Sequence, residues 1–176
     1  MGGLPGSPVG TGGSYGGLGA GYQGRISGLP YGDPKRPVLL GSGGGSYNGV
    51  PGSRGGGRIE IHAAGTVTIN GAVNASGGIR GGSADGDGSG GSILIQANQI
   101  AGSGAIAADG GGSGVGVAGG GGRVALVAAA INPADFGNLR NISAFAGHCQ
   151  FDDLRASAGT VCLRAGAQTQ GDLYID

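Results

Sequence analysis

The stretch Asp85–Gly90 contains the residues whose types and spacing most resemble a functional site, a calcium-binding loop. Asp85, Asp87 and Ser89 place oxygen-bearing side chains at alternate positions, and a glycine follows them, as in the first half of such a loop. The position that should supply a bidentate glutamate holds Gln96, which lies in a predicted strand. A plain polar turn therefore accounts for this stretch better, and we predict neither a metal nor a cofactor.

Cys149 and Cys162 are the only two cysteines of the chain. In an exported protein, cysteines this close in sequence could form a disulfide. Closing so short a loop would stabilise the folded state by about 3 kcal/mol. The alternative is two separate thiols, one of them on the outer face of a strand, and the sequence leaves both possibilities open.

Other candidate catalytic side chains lack the partners that chemistry would need. His62 and His148 show no recognisable pattern of Cys, His or Asp partners. Asp152 and Asp153, beside Arg155, could form an acid pair for sugar hydrolysis, but adjacent residues in a loop usually point apart. We therefore predict no catalytic residues and no enzymatic activity.

The composition excludes several classes of protein. Glycine accounts for 48 of the 176 residues, but without the strict period and high proline content of collagen. The 10 basic and 10 acidic residues balance, so the chain has no overall charge that would favour nucleic acid. The longest apolar run, Val124–Ile131, is too short to span a bilayer.

The elements that would position any site come from an internal repeat. The template Gly-x-[Ile/Val]-x-[Ile/Leu] occurs four times, and its first apolar residue recurs at intervals of 34, 31 and 37 residues. A second motif follows the first three copies, at 71–77, 104–110 and, more weakly, 141–147. Two interleaved motifs with one period predict a repeat architecture.

The repeat predicts an all-β fold, a Gly-rich right-handed parallel β-solenoid (β-helix) with long glycine-rich loops. Alternate apolar residues of each strand share a face, so stacking should form two ladders. These ladders are Ile59, Ile93, Val124 and Val161, and Ile61, Ile95, Leu126 and Leu163. We predict one domain over 1–176, with an irregular N-terminal segment (1–37), regular repeats (38–132) and a variant last repeat (133–176).

Two further features of the predicted strands bear on function. Glu60, Leu94, Ala125 and Cys162 should form an exposed ladder that holds a single acid, which argues against a catalytic groove. At the other end, Leu173, Tyr174 and Ile175 belong to a predicted strand that has no cap and could pair with another chain. For the loops, an ordered layer like polyglycine II and a mobile fringe are both open, and we expect partial order.

The order of the glycine motifs resembles a Gly-rich module of very large secreted or surface proteins of bacteria. The resemblance covers nearly the whole chain, from Gly12–Gly17 through Tyr31–Pro34 to Ala167–Leu173. It implies a parallel β-helix type of module in an adhesin-like extracellular protein, and no reaction.

We accordingly expect an extracellular or cell-surface structural and adhesion module, a rod or fibre subunit that assembles end to end. Its expected partners are further copies, or neighbouring domains of a larger chain, through the uncapped ends. Surface glycans are a further possible partner, and nucleic acid and a membrane span are not expected. The alternatives are a glycan-binding module using the tyrosine-rich N-terminal segment and, less favoured, a polysaccharide-cleaving β-helix enzyme.

Overall fold

The structure is a computed structural model that describes residues 7–80, 85–112, 114–132, 136, 139–149 and 155–175. Within these residues the chain forms nine strands and one short 3-10 turn at Tyr22–Gly24. The strands are β1 (Arg58–His62), β2 (Thr66–Thr68), β3 (Ala72–Asn74), β4 (Ser92–Ala101), β5 (Ala105–Ala107), β6 (Arg123–Ile131), β7 (Ile142–Ser143), β8 (Thr160–Ala165) and β9 (Asp172–Ile175).

The strands form two sheets. The larger sheet has six strands in the order β1-β4-β6-β8-β9, with β2 pairing the second half of β4. Its strands are parallel except for β9, which runs antiparallel to β8. The smaller sheet consists of the parallel strands β3-β5-β7.

The strand registers predicted from the repeat are confirmed. Ile59 pairs with Ile93, which pairs with Val124, which in turn pairs with Val161. The second predicted ladder, from Ile61 to Leu163, has the same register. These β-branched and aliphatic side chains alternate along the strands, so they lie on one face and pack against the smaller sheet.

The prediction of a right-handed parallel β-solenoid is wrong. The strands form a mixed sheet with a parallel centre and a separate three-stranded sheet, and no solenoid or closed sheet is found among the described residues. One reason is that the chain reverses after β8: Gly166 and Gly171 have positive φ (59° and 76°), and the turn between them returns β9 antiparallel. A second reason is that the glycine-rich returns do not form strands.

Those returns pack together into what we call the glycine bundle, formed by segments 11–20, 41–45, 52–56, 75–78, 85–91, 108–112 and 117–122. Its central segment, 86–91, is buried throughout. Each amide of this segment donates to a neighbouring segment: Gly86 to Gly45 at 3.0 Å, Asp87 to Val117 at 2.8 Å and Gly88 to Gly78 at 3.1 Å.

The same three neighbours then recur in the same order. The amides of residues 89, 90 and 91 donate to the carbonyl oxygens of Ser42, Gly120 and Ala75, respectively. This three-residue period is that of a polyproline II helix, which has three residues per turn and no internal hydrogen bonds. The bundle therefore corresponds to the ordered, polyglycine-II-like alternative for the loops.

Glycine is required in the bundle because the backbones approach closely. A Cβ added at Gly88 would lie 1.9 Å from the carbonyl oxygen of Arg54, and one at Gly119 would lie 2.1 Å from that of Gly88. Neither residue has a positive φ, so space rather than backbone conformation demands glycine there. The molecule thus combines an aliphatic core between sheets with a core made of backbone.

The N-terminal part of the described chain covers the outer face of the larger sheet. In that face Leu94 and Ala125 are fully buried and Cys162 is 3% exposed, and Val38 packs against them. The predicted ladder of Glu60, Leu94, Ala125 and Cys162 therefore has the expected register, but the prediction that it is exposed is wrong. Among the described residues, no helix has the length and apolar character needed to cross a membrane.

Candidate functional site

The strand predicted to mediate assembly is an edge of the larger sheet. β9 pairs with β8 on one side, through Leu173 opposite Cys162 and Tyr174 opposite Val161. No described strand pairs with its other side. Leu173 is 55% exposed and Ile175 is 80% exposed, so this edge presents both unpaired backbone groups and apolar side chains.

The opposite edge of the same sheet is β1. It pairs only with β4 among the described strands, and its inward side chains Ile59 and Ile61 are partly buried against the core. On the outer face Glu60 accepts a hydrogen bond from the guanidinium of Arg58 and lies 2.7 Å from Nε2 of His62. The hydrogen bonds with His62 and Arg58 lower the pKa of the Glu60 carboxyl below its ordinary value, and the one with His62 has the larger effect.

A cluster of polar and aromatic side chains attaches the N-terminal segment to the outer face. The buried hydroxyl of Tyr15 lies 2.6 Å from Oγ of Ser92, and Ser92 donates to the carbonyl oxygen of Leu39. Arg123, 7% exposed, donates from Nε to the carbonyl oxygen of Tyr31 and lies over the Tyr15 ring, 5.5 Å from its centroid. Tyr31 packs on Tyr15 with 4.9 Å between ring centroids.

Burial dominates the titration of this cluster. It raises the pKa of Tyr15, although the hydrogen bond with Ser92 and the charge of Arg123 act in the opposite direction. Tyr15 therefore fixes the covering segment to the sheet and offers no exposed ring to a ligand.

An open groove of about 620 Å³ lies on the same sheet, beside the carboxyl ends of β1 and β8 and the middle of β4 and β6. Four side chains in register form one row across it: His62, Gln96, Val127 and Arg164. Ala63, Ala97, Ala128 and Gln168 also line the groove, and Ala97 and Ala128 contact the aliphatic core on the other face. A smaller hollow of about 190 Å³ shares Gln96, Val127 and Arg164 and adds Lys35, Arg36 and Gln170.

The groove was not predicted from the sequence, although its row of polar residues follows the repeat. The row stands one residue beyond each copy of the strand template, where the alternation continues on the outer face. Three of the four residues in this row, His62, Gln96 and Arg164, are polar. The outer-face row two residues earlier has Leu94, Ala125 and Cys162 at three of its four positions.

The stretch proposed as a calcium loop or a polar turn is the centre of the glycine bundle. Asp87 is fully buried, and its Oδ1 accepts hydrogen bonds from the amide of Arg80 at 2.9 Å and from Oγ of Ser53 at 3.4 Å. Oγ of Ser89 accepts from the amide of Ser42 at 2.9 Å. These oxygens satisfy buried donors of the protein, and no cluster of three or more His, Cys, Asp or Glu suited to a metal occurs in the described part of the chain.

The two cysteines are free thiols, so the possible disulfide Cys149–Cys162 is not formed in this structure. Sγ of Cys149 contacts the carbonyl oxygen of Gly116 at 2.9 Å, beside Val117 and Ala118. Cys162 belongs to a different cluster, on the outer face of the larger sheet. Burial raises the pKa of the Cys162 thiol, which disfavours its use as a nucleophile.

The remaining predicted candidates are not brought together. His62 lies on the edge strand β1, whereas the backbone of His148 packs against Gly112. Asp152 and Asp153 lie outside the described residues. Comparisons with family models, with curated proteins and with solved structures find no match to this chain.

Proposed function

We propose that this chain is a non-enzymatic structural and adhesion module of an extracellular or cell-surface bacterial protein, whose copies join edge to edge into a fibre. The observation that carries the proposal is the open β9 edge with its exposed Leu173 and Ile175. The extracellular location rests on the resemblance of the ordered glycine motifs.

The direction of the strands supports a head-to-tail contact. β9 runs antiparallel to β1 within one molecule, because β1 is parallel to β4, β6 and β8 while β9 opposes β8. A second copy in the same orientation would therefore place its β1 antiparallel to β9 of the first. This contact is heterologous, and repeated translation of such a contact gives an open filament instead of a closed ring.

The two-core construction suits a mechanical role. The parallel strands and the glycine bundle are held by backbone hydrogen bonds between segments far apart in sequence, such as Asp87 to Val117 and Gly120 to Gly13. Pulling on such a module would load many of these bonds together.

Sedimentation velocity and negative-stain electron microscopy of the pure chain test the proposal. We expect the sedimentation coefficient to rise with protein concentration and filaments to appear at the highest concentrations. Particles that stay monomeric throughout the concentration range would contradict edge-to-edge assembly.

Within the alternative of a glycan site on the N-terminal tyrosines, Tyr15 is not favoured as a contact, because its ring is buried and its hydroxyl is occupied by Ser92, whereas Tyr22 and Tyr31 are half-buried. A polysaccharide-cleaving enzyme is not favoured either. The groove beside the covering segment is lined by amide, cationic and small side chains, and not by the pair of carboxylates that such hydrolysis uses.

A further inference from the structure

The groove on the outer face of the larger sheet has the form of a binding site for an extended ligand. Neighbouring strands lie about 4.8 Å apart, so the row from His62 to Arg164 extends over roughly 14 Å. The groove is open to solvent, and its volume of about 620 Å³ lies within the range of ligand sites.

The chemistry of the lining defines what could bind. Gln96 and the Nε2 of Gln170 offer carboxamide groups that can bind hydroxyls, whereas Gln168 is held within the protein: its Oε1 accepts from the amide of Ala165 at 2.9 Å and its Nε2 donates to Asp172. Arg164 stands where the groove and the smaller hollow join, with Lys35 and Arg36 on the far side. A guanidinium can bind a carboxylate in a bidentate manner.

Acidic side chains occur beside the groove but do not line it. Glu60 is bound to Arg58 and His62, Oδ2 of Asp172 accepts from Nε2 of Gln168 at 3.2 Å, and Oδ1 of Asp33 accepts from the amide of Lys35 at 2.8 Å. Lys35 contacts Oε1 of Gln170. Among the described lining residues, Lys35, Arg36 and Arg164 carry the positive charge, and Asp33 and Asp172 lie near enough to Cys162 to offset part of it.

We propose that this groove binds a carboxylated polysaccharide, with Arg164 and Lys35 holding the carboxylates of uronic acid units and with Gln96 and Gln170 binding their hydroxyls. A nucleic acid is disfavoured because the described residues that line the two hollows include no aromatic ring for bases to stack on. An apolar ligand is disfavoured because the walls carry amides and charges.

Titration of the pure chain with a tetramer of galacturonic acid, followed by isothermal calorimetry, tests the proposal. Maltotetraose serves as the neutral sugar and a single-stranded oligothymidine as the non-sugar polyanion. The variants are Arg164→Gln, which removes the central charge, and Arg80→Gln, which makes the same change at an exposed arginine outside the lining. Thermal melting of both variants checks that they are folded.

We expect the uronate tetramer to bind, more weakly as salt is added, and the neutral tetramer and oligothymidine to bind at least about tenfold less tightly. A folded Arg164→Gln variant should lose about tenfold or more in affinity, and Arg80→Gln should lose none, since a charge-assisted hydrogen bond is worth about that much. If that variant does not fold, Lys35→Gln takes its place, with the same loss expected.

Three outcomes would overturn the proposal: no binding of the uronate, equal or tighter binding of either control ligand, or an affinity that is unchanged when Arg164 or Lys35 is replaced. The inference does not depend on fibre formation, because the groove lies on the face of the sheet and the proposed contact lies at its edges. Monomeric protein that binds uronate would contradict only the fibre, and filaments that do not bind it would contradict only the groove.

Discussion

At the scale of single residues, two adjacent glycines, Gly56 and Gly57, differ sharply in the space that each leaves for a side chain. A Cβ added at Gly56 would lie 2.0 Å from the carbonyl oxygen of Ala75 and 2.4 Å from the amide nitrogen of Gly91. At Gly57 an added Cβ meets no atom within 4 Å. Neither residue has a positive φ, so alanine is disfavoured at Gly56 by space alone.

We therefore expect Gly56→Ala to lower the free energy of unfolding by about 3 kcal/mol or more, because backbone atoms on both sides must move. Gly57→Ala is the matched control and should change stability by less than about 1 kcal/mol. Urea denaturation of both variants measures the difference, and equal stabilities would refute the close packing of the bundle.

The buried Tyr15 hydroxyl predicts a loss of stability at alkaline pH. Burial raises the pKa of Tyr15 in the folded state, so the folded protein retains the phenolic proton at pH values where the unfolded chain loses it. The contribution is fully present below the unfolded pKa of about 10 and is lost as pH rises towards the folded pKa.

Thermal melting between pH 9 and about 11, with the Tyr15→Phe variant as comparison, checks this prediction. Because that variant lacks the hydrogen bond with Ser92, it should be about 1 kcal/mol less stable at neutral pH. Above the unfolded pKa it should lose less further stability than the wild type. Parallel decreases in the two proteins would show that Tyr15 is not the group responsible.

At the scale of elements, the account depends on the open edge of β9. A lysine in an exposed edge strand opposes pairing with another strand, because its charge would have to be buried or moved aside. Ile175→Lys should therefore abolish self-association while leaving the fold intact. Ile26→Lys is the matched control, since Ile26 is 81% exposed and Ile175 is 80% exposed.

Sedimentation velocity of the two variants and the wild type distinguishes association through β9 from general hydrophobic association. We expect the Ile26 variant to associate like the wild type and the Ile175 variant to remain monomeric. Loss of association in both would point to general hydrophobic clustering, and persistence in both would exclude β9 as the contact.

The elements also show which parts of the fold could be predicted from sequence. Strand registers such as Ile59 with Ile93 follow from local alternation and a constant repeat, and both are visible in the sequence. Leu94 and Ala125 are buried by a segment more than 50 residues away in sequence, which includes Val38. The repeat pattern of the sequence cannot predict a contact of this kind. The antiparallel return of β9 depends on the turn at Gly166 and Gly171, which glycine content alone does not distinguish from a loop.

The candidate site likewise contains some residues that could be predicted from the sequence and others that could not. The row of His62, Gln96 and Arg164 could have been read from the repeat, because it follows the strand register. The neighbouring Lys35 and Gln170 come together only through the covering segment and the turn before β9. Their placement required the structure.

At the scale of the whole molecule, a chain with 48 glycines and 5% aromatic residues forms a buried interior from backbone as well as from aliphatic side chains. The aliphatic cluster between the sheets supplies hydrophobic stabilisation, and the bundle supplies hydrogen bonds between segments that a side chain would push apart. Ordering glycine is entropically costly, so the bundle is expected to be stable only when all its neighbours are present.

Amide hydrogen exchange followed by NMR tests the ordered glycine bundle most directly. The amides of residues 86–91 all donate to backbone carbonyl oxygens of other segments. We expect them to exchange at least about a thousandfold more slowly than a random coil, in step with those of β4 and β6, as in a core that opens only on global unfolding. Exchange of residues 86–91 at random-coil rates, while β4 and β6 stay protected, would contradict the account.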